Sequence, residues 1–296
     1  MADLAQLTTE ARNPQTMHID QLDGSGIAAL INQEDAKVAA AVATQNTQIG
    51  QAIDAIADRF RQGGRIIYMG AGTSGRLGAL DAIELTPTYS VPPTRAFGLL
   101  AGGQDAMFKA VEGAEDSKAL AINDLKAHAL TALDVVIGIA ASGRTPYTIG
   151  ALEYANTVGA LTVSLTCNAD NDMMHIAQIA ISPVVGPEVV TGSTRMKSGT
   201  AQKLVLNTIS TGVMIKMGYV YENLMINVQP TNEKLVHRAI GILQQVLQID
   251  AQAATALLAQ ADNNVPAAIV MHRRQVDLKQ AQALLATNDN RVGQII

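Results

Sequence analysis

The chain has 296 residues, 21 Lys and Arg against 26 Asp and Glu, and a formal net charge of −5; 48% of its residues are hydrophobic and only 16% charged. Disorder, which goes with low hydrophobicity and high charge, is excluded, and the mild acidity offers no basic footprint for nucleic acid. Its one cysteine, Cys167, rules out a disulfide scaffold and a cysteine-rich zinc module.

The opening Met-Ala-Asp-Leu-Ala-Gln lacks the basic start and apolar run of a signal peptide. No run of about 18 apolar residues reads as a membrane span. The best one, Leu204 to Met217, is interrupted by Asn207, Thr208, Ser210 and Lys216. A soluble cytoplasmic protein is expected. With 3% aromatic residues and no Trp, any small ligand should be held by backbone amides, hydroxyls and a few placed charges.

In chain order, residues 1–54 read as a polar start followed by helices, at Lys37 to Val42 and Thr47 to Phe60, the second ended by Gly63-Gly64. The apolar run Arg65 to Met69 reads as a buried strand. Similar runs recur at Ala96–Leu100, Val135–Ile139, Leu161–Leu165 and Ile176–Ile181, separated by segments with helical potential such as Leu77–Leu85, Asp105–Glu112 and Tyr147–Thr157. Alternating strands and helices imply a parallel sheet covered on both faces. A small-residue helix from about Thr200 to Met217 closes this α/β domain, placed at 55–220. Residues 221–296 read as a helical region. Past Gln229-Pro230-Thr231 a helix over 232–247 is followed by three short ones: Ala251–Gln260 capped by Asp250, one near Ala267–Arg273 started by Pro266, and Leu278–Leu285 started by Asp277.

Two loops carry the chemistry. Gly70-Ala71-Gly72-Thr73-Ser74-Gly75-Arg76 and Ala140-Ala141-Ser142-Gly143-Arg144-Thr145-Pro146 both place Ser-Gly-Arg between the end of a strand and the start of a helix. Ligands of open α/β sheets bind there. Glycines admit an anion close to the backbone, helix-start amides point at it, and the serine adds a donor. The first loop lacks the Gly-Lys-Ser/Thr of a nucleotide P-loop and the Gly-x-Gly-x-x-Gly of a dinucleotide fold. One such loop could serve only as a helix cap; two with the same tripeptide point to a phosphate ester. A third polar segment runs from Thr191 to Thr200 and includes Ser193, Arg195 and Lys197.

Among carboxylates, Glu84 lies ten residues beyond Ser74, ~15 Å along a helix. Ile83 and Leu85 flank it, a setting in which desolvation would suit a general acid; the plain alternative is a surface glutamate. Spacing does not choose among Glu112, Glu115 and Asp116. The five histidines show no metal-ligand spacing, and Cys167 suits a buried small hydrophobe better than a nucleophile.

The segments Gly70–Leu77, Ala140–Pro146 and Glu188–Lys203 resemble the sugar isomerase (SIS) superfamily and, within it, the N-acetylmuramic acid 6-phosphate etherases. So do Thr8-Thr9-Glu10-Ala11-Arg12-Asn13-Pro14, Glu112–Ser117, Asn223-Leu224-Met225 and Pro230-Thr231-Asn232. The resemblance spans nearly the whole chain and loosens in its last fifty residues. It implies a three-layer α/β/α sandwich on a five-stranded parallel sheet, with a small C-terminal helical bundle similar to ubiquitin-associated folds. It implies further a metal-free and cofactor-free homodimeric lyase that removes D-lactate from a sugar phosphate.

Carried onto this chain, the resemblance puts the catalytic glutamates at Glu84 and Glu115 and the phosphate-contacting serines at Ser74 and Ser142. Gly72, Thr73, Gly143, Arg144, Thr145 and Ser193 are expected beside them, with Arg195 or Lys197, or else Arg76, reading the lactyl carboxylate. The chain departs at Ile83, where the family favours a small or polar residue. Other classes with these loops are non-catalytic sugar-phosphate sensors, which need no paired glutamates, and phosphosugar isomerases. No helix-turn-helix precedes the SIS segment, which argues against a transcription regulator of this superfamily.

Overall fold

A computed structural model describes residues 7–109, 111–228, 230 and 232–296. Of the expected elements, Ala110 in the Asp105–Glu112 helix and Gln229 and Thr231 in the linker lie outside the described residues, as do residues 1–6.

Helices α1 (Gly24–Asp35), α2 (Val38–Ala43) and α3 (Asn46–Arg61) lead into strand β1 (Ile66–Gly70), all five residues of which are buried. Then follow α4 (Gly72–Tyr89), β2 (Ala96–Leu100), α5 (Lys118–Ala127), β3 (Val135–Ile139), α6 (Pro146–Val158), β4 (Leu161–Leu165), α7 (Asp172–Ile176), β5 (Ile179–Ile181) and α8 (Lys197–Lys216). The strands form one parallel sheet in the order β2-β1-β3-β4-β5. Ile67, Met69 and Val136 pack with Leu125 of α5 and Tyr147 and Leu152 of α6. From the intervening position Tyr68 donates to Asp81 of α4 at 2.7 Å, and Asp81 also accepts from Asn207 and Ser210 of α8. Two helical layers therefore sandwich the sheet, which is why its strands are apolar on both faces. The strand starts are tied by Asp134, which takes the Arg65 guanidinium at 2.7 Å and the Arg65 backbone N–H at 2.9 Å.

By contacts the chain forms two compact units: residues up to Ile83 with Thr94–Ser210, and Glu84–Pro93 with Thr211–Ile296. These borders differ from cuts at 54/55 and 220/221, because α3 packs on β4 and β5 and so belongs with the sheet. The second unit holds a two-residue antiparallel hairpin, β6 (Val220–Tyr221) and β7 (Leu224–Met225), which the reading as a helical region did not anticipate. It also holds α9 (Glu233–Leu247), α10 (Ala251–Gln260), α11 (Val265–Arg274), α12 (Leu278–Thr287) and α13 (Val292–Ile295). Asn232, Asp250, Asn264 and Asp277 cap four of these helices with side-chain oxygens. Ala239, Leu243, Leu258, Val265 and Ile269 are in its core.

Two expected elements differ. The helix over 105–112 is a short 3-10 turn, Gln104–Met107. The Arg76 guanidinium occupies the carbonyls of Ala106 and Met107 at 2.8 and 3.0 Å, acceptors that a continuing helix would need. The strand begun at Ile176 starts instead at Ile179, because Asn171 caps a helical turn through Ile176. Helix α5 was not among the segments read as helical; Ser117, which accepts from Leu120 N–H, was its local signal. No helix among the described residues is long and apolar enough to cross a membrane.

Candidate active site

The strand order reverses at β1 and β3, so the chain leaves their carboxyl ends in opposite directions and opens a crevice there. A cleft of about 630 Å³ occupies it, lined by Ala71–Ser74, Ile139–Ser142 and Arg144–Pro146, with Leu7, Glu10, Glu115, Asp116 and Thr194.

The turn from β1 into α4 is tight. A Cβ on Gly75 would lie 2.5 Å from the Gly70 carbonyl oxygen, so only glycine lets the helix start this close to the strand. Gly75 N–H closes the first helical bond onto Ala71, so the amides of Gly72, Thr73 and Ser74 belong to the helix start that no intrahelical carbonyl takes. They line the cleft with the positive end of the helix dipole behind them, an arrangement suited to an anion. Ser74 Oγ sits among them and donates to Gln202 Oε1 of α8 at 3.0 Å.

The second loop turns at Gly143, whose φ of +73° and whose missing Cβ, 2.5 Å from the Asn171 side chain, leave room for glycine alone. Ser142 Oγ accepts from Arg144 N–H at 3.2 Å. Buried Asn168 braces the loop, donating to the carbonyl of Ala141 at 3.0 Å and to Thr9 Oγ1 at 3.2 Å. The N-terminal turn Thr8–Glu10 is thereby fastened to the Ser142 loop, and Glu10 stands at the cleft wall.

The third segment is held from beneath. Glu188, fully buried, accepts from the N–H groups of Lys197 and Ser198 at 2.9 Å and caps α8. Lys197 was expected to meet substrate, but it is buried in an ion pair with Glu34 at 2.8 Å. Asn13 donates to the same Glu34 oxygen at 2.9 Å, and Lys37 to the other. Burial works to raise the Glu34 carboxyl, yet the hydrogen bonds from Lys197, Lys37 and Asn13 outweigh it and hold it at about 2. Arg76 is likewise committed, to the 106–109 carbonyls.

Of the expected residues, Gly72, Thr73, Ser74, Ser142, Arg144, Thr145 and Glu115 line the cleft. Gly143 shapes it without lining it, and Ser193 and Arg195 flank the lining Thr194. Glu84 belongs to the second unit and is not among the lining residues. Its expected apolar shelter is absent: Glu84 is exposed and Ile83 is 59% exposed, because both lie on the outer side of α4 while Leu85 turns inward. Glu10, Asn168, Gln202 and Glu34 carry parts of this arrangement that the local sequence did not single out. For Asn168 its place just past the end of a core strand was the available signal.

Cys167 is buried and its thiol pushed up to about 12, chiefly by desolvation, so it is no nucleophile at neutral pH. Among the described residues no group of three His, Cys, Asp or Glu could hold a metal ion.

Three family models match the chain: the glucokinase regulatory protein N-terminal SIS domain over residues 48–156, the SIS domain over 117–211, and the C-terminal lid domain of glucokinase regulatory protein over 222–264. Two solved structures share the fold at a TM-score of 0.50. A candidate sugar-phosphate isomerase of Listeria monocytogenes, 19% identical, covers 67% of this chain and 94% of its own. A candidate phosphosugar isomerase of Bacteroides fragilis, 18% identical, covers 66% and 94%. The N-acetylmuramic acid 6-phosphate etherase 2 of Vibrio cholerae is 54% identical over 92% of this chain and 89% of its own length. N-acetylmuramic acid 6-phosphate etherase 1 of Enterococcus faecalis is 62% identical over 91% of this chain and 90% of its own, and the chain belongs to the N-acetylmuramic acid 6-phosphate etherase family.

Proposed function

We propose that this chain is a carbon–oxygen lyase that converts N-acetylmuramic acid 6-phosphate and water to N-acetylglucosamine 6-phosphate and D-lactate, in peptidoglycan recycling or amino sugar catabolism. The observation that carries the reading is the meeting, in one cleft of a chain of this family, of two Ser-Gly-Arg loops suited to a phosphate and the carboxylate of Glu115. Phosphate takes the amide and hydroxyl end at Gly72, Thr73, Ser74, Ser142 and Thr145, with Arg144 beside it. The sugar then extends toward Glu115.

In the open-chain sugar the C1 aldehyde acidifies the C2 proton. Glu115 removes it, the electron pair moves into a C2–C3 double bond, and the C3–O bond to lactate breaks as the departing oxygen is protonated, the role that the family resemblance gives to Glu84, which does not itself line this cleft. Water adds at C3, giving its proton to Glu84, and the C2 carbon is reprotonated. Two carboxylates in opposite protonation states supply both halves. Arg195 stays the candidate cation for the lactyl carboxylate, since Lys197 and Arg76 are engaged elsewhere.

The enzyme works in the cytoplasm as a homodimer. Support for the dimer comes from α4, where Leu80, Ile83, Glu84 and Pro87 fall at i, i+3, i+4 and i+7 on one exposed stripe. A second copy over that stripe would cover Leu80 and Ile83, 48% and 59% exposed here, and give Glu84 the apolar cover that a proton donor needs.

The test is to incubate the purified chain with N-acetylmuramic acid 6-phosphate and measure D-lactate. Lactate and N-acetylglucosamine 6-phosphate in equal amounts are expected. Sugar-phosphate binding without lactate would sink the reading in favour of a sensor, and fructose 6-phosphate made from glucose 6-phosphate would favour an isomerase.

A further inference from the structure

Gln202 is 1% exposed on α8, and its two amide atoms are treated unequally: Oε1 accepts from Ser74 Oγ at 3.0 Å, while Nε2, wholly buried, has no hydrogen-bond partner among the described residues. In this arrangement the only proton of the Ser74 hydroxyl is turned into the protein. The cleft is left with its lone pairs, which repel phosphate oxygens. A half-turn of the carboxamide exchanges nitrogen and oxygen with no other movement, so the two orientations differ in whether Ser74 donates or accepts, with one buried amide atom unpartnered in either.

We infer that Gln202 sets the direction of the Ser74 hydroxyl: when a phosphate ester arrives, the amide turns, Nε2 donates to Ser74 Oγ, and the hydroxyl proton passes to a phosphate oxygen. Gln202 is thus a positioning residue for the phosphate end of the cleft. The inference rests on the proposed function only in taking the ligand to be a phosphate ester. The mounting is firm. Glu188 fixes the first turn of α8, and a Cβ on Gly199 would stand 3.7 Å from the Thr73 methyl, so this part of α8 lies against the start of α4.

The probe is N-acetylglucosamine 6-phosphate, titrated by calorimetry into the full chain at pH 8, alongside steady-state lactate release. In Gln202→Glu an ionised carboxylate can only accept from Ser74, so Kd and KM are expected to rise on the order of tenfold, with kcat within about twofold. Gln202→Met neither donates nor accepts, and a rise of roughly threefold is expected. Both effects should fall below about twofold when measured in a Ser74→Ala background, because the residue acts through that hydroxyl.

Equal losses with and without Ser74 would mean direct charge repulsion or packing damage and would overturn the inference, as would an unchanged Kd in both variants. If Gln202→Glu fails to fold, the Gln202→Met and Ser74→Ala cycle decides alone. A wild-type chain that binds the probe yet releases no lactate would refute the etherase reading and leave this test standing.

Discussion

Lys197 Nζ lies 2.8 Å from Glu34 Oε2, with the two side chains 1% and 3% exposed. A residue of the segment that flanks the cleft is thus spent on holding the N-terminal helices rather than on meeting solvent or substrate. Lys197→Met should leave the buried Glu34 charge with only Asn13 and the half-exposed Lys37 and cost up to about 3–5 kcal/mol, seen as a lower urea midpoint. A variant with native stability that failed to bind N-acetylmuramic acid 6-phosphate would instead make Lys197 a ligand contact.

The same pair predicts a pH dependence. Glu34 is depressed from 4.5 to about 2, and Asp134 is also lowered: burial opposes this, but the Arg65 side chain and the N–H groups of Thr131 and Arg65 prevail. Depressed carboxylates stabilise the fold fully above their unfolded values and lose that contribution as pH falls through the folded ones. The melting temperature should therefore hold steady above about pH 5 and fall as pH drops from about 4.5 toward 2. In Glu34→Gln the fall should be shallower, and an unchanged slope would exclude Glu34 as a source.

Gly143→Ala places a methyl against Asn171 at a φ that alanine resists. The expected cost is roughly 1–3 kcal/mol, with a raised KM as the Ser142 loop shifts. Thermal melts and lactate-release kinetics check both. A variant with native KM would show that the loop tolerates the shift.

Binding and chemistry should separate between the serines and the glutamates. Ser142→Ala removes a hydroxyl that would donate to a charged ligand, worth about 1.5–3 kcal/mol, and should raise KM with little change in kcat. Glu115→Gln should lower kcat by about 10²–10⁴ and abolish exchange of the C2 proton with deuterium from solvent. Glu84→Gln should halt lactate release while exchange persists. Exchange retained in Glu115→Gln and lost in Glu84→Gln would invert the two roles.

The exposed stripe of α4 gives a further test. Ile83→Lys should shift the protein from dimer to monomer in sedimentation and depress lactate release together. A monomeric variant with full activity would refute the proposed role of a second copy at Glu84.

Local patterning sufficed for much of this protein. Apolar runs of five residues placed β2, β3 and β4 to the residue, and Asp250 and Asp277 marked their helix starts, because a cap is satisfied by an amide three residues away. The doubled Ser-Gly-Arg put both candidate loops at strand ends, where the crevice lies. Those features are written in neighbouring residues.

What the tertiary structure alone decided is which charged groups are free. Lys197 and Arg195 stand two positions apart in one polar segment, and nothing local says that the first pairs with a glutamate 163 residues earlier while the second faces solvent. Ile83 looked like shelter for Glu84, yet a neighbour in sequence lies about 100° around a helix, and both ended up outside. Glu10 and Gln202 reach the site from opposite ends of the first unit. A cleft gathers residues by where strands end, and a buried group takes whatever partner the packed interior brings within about 3 Å.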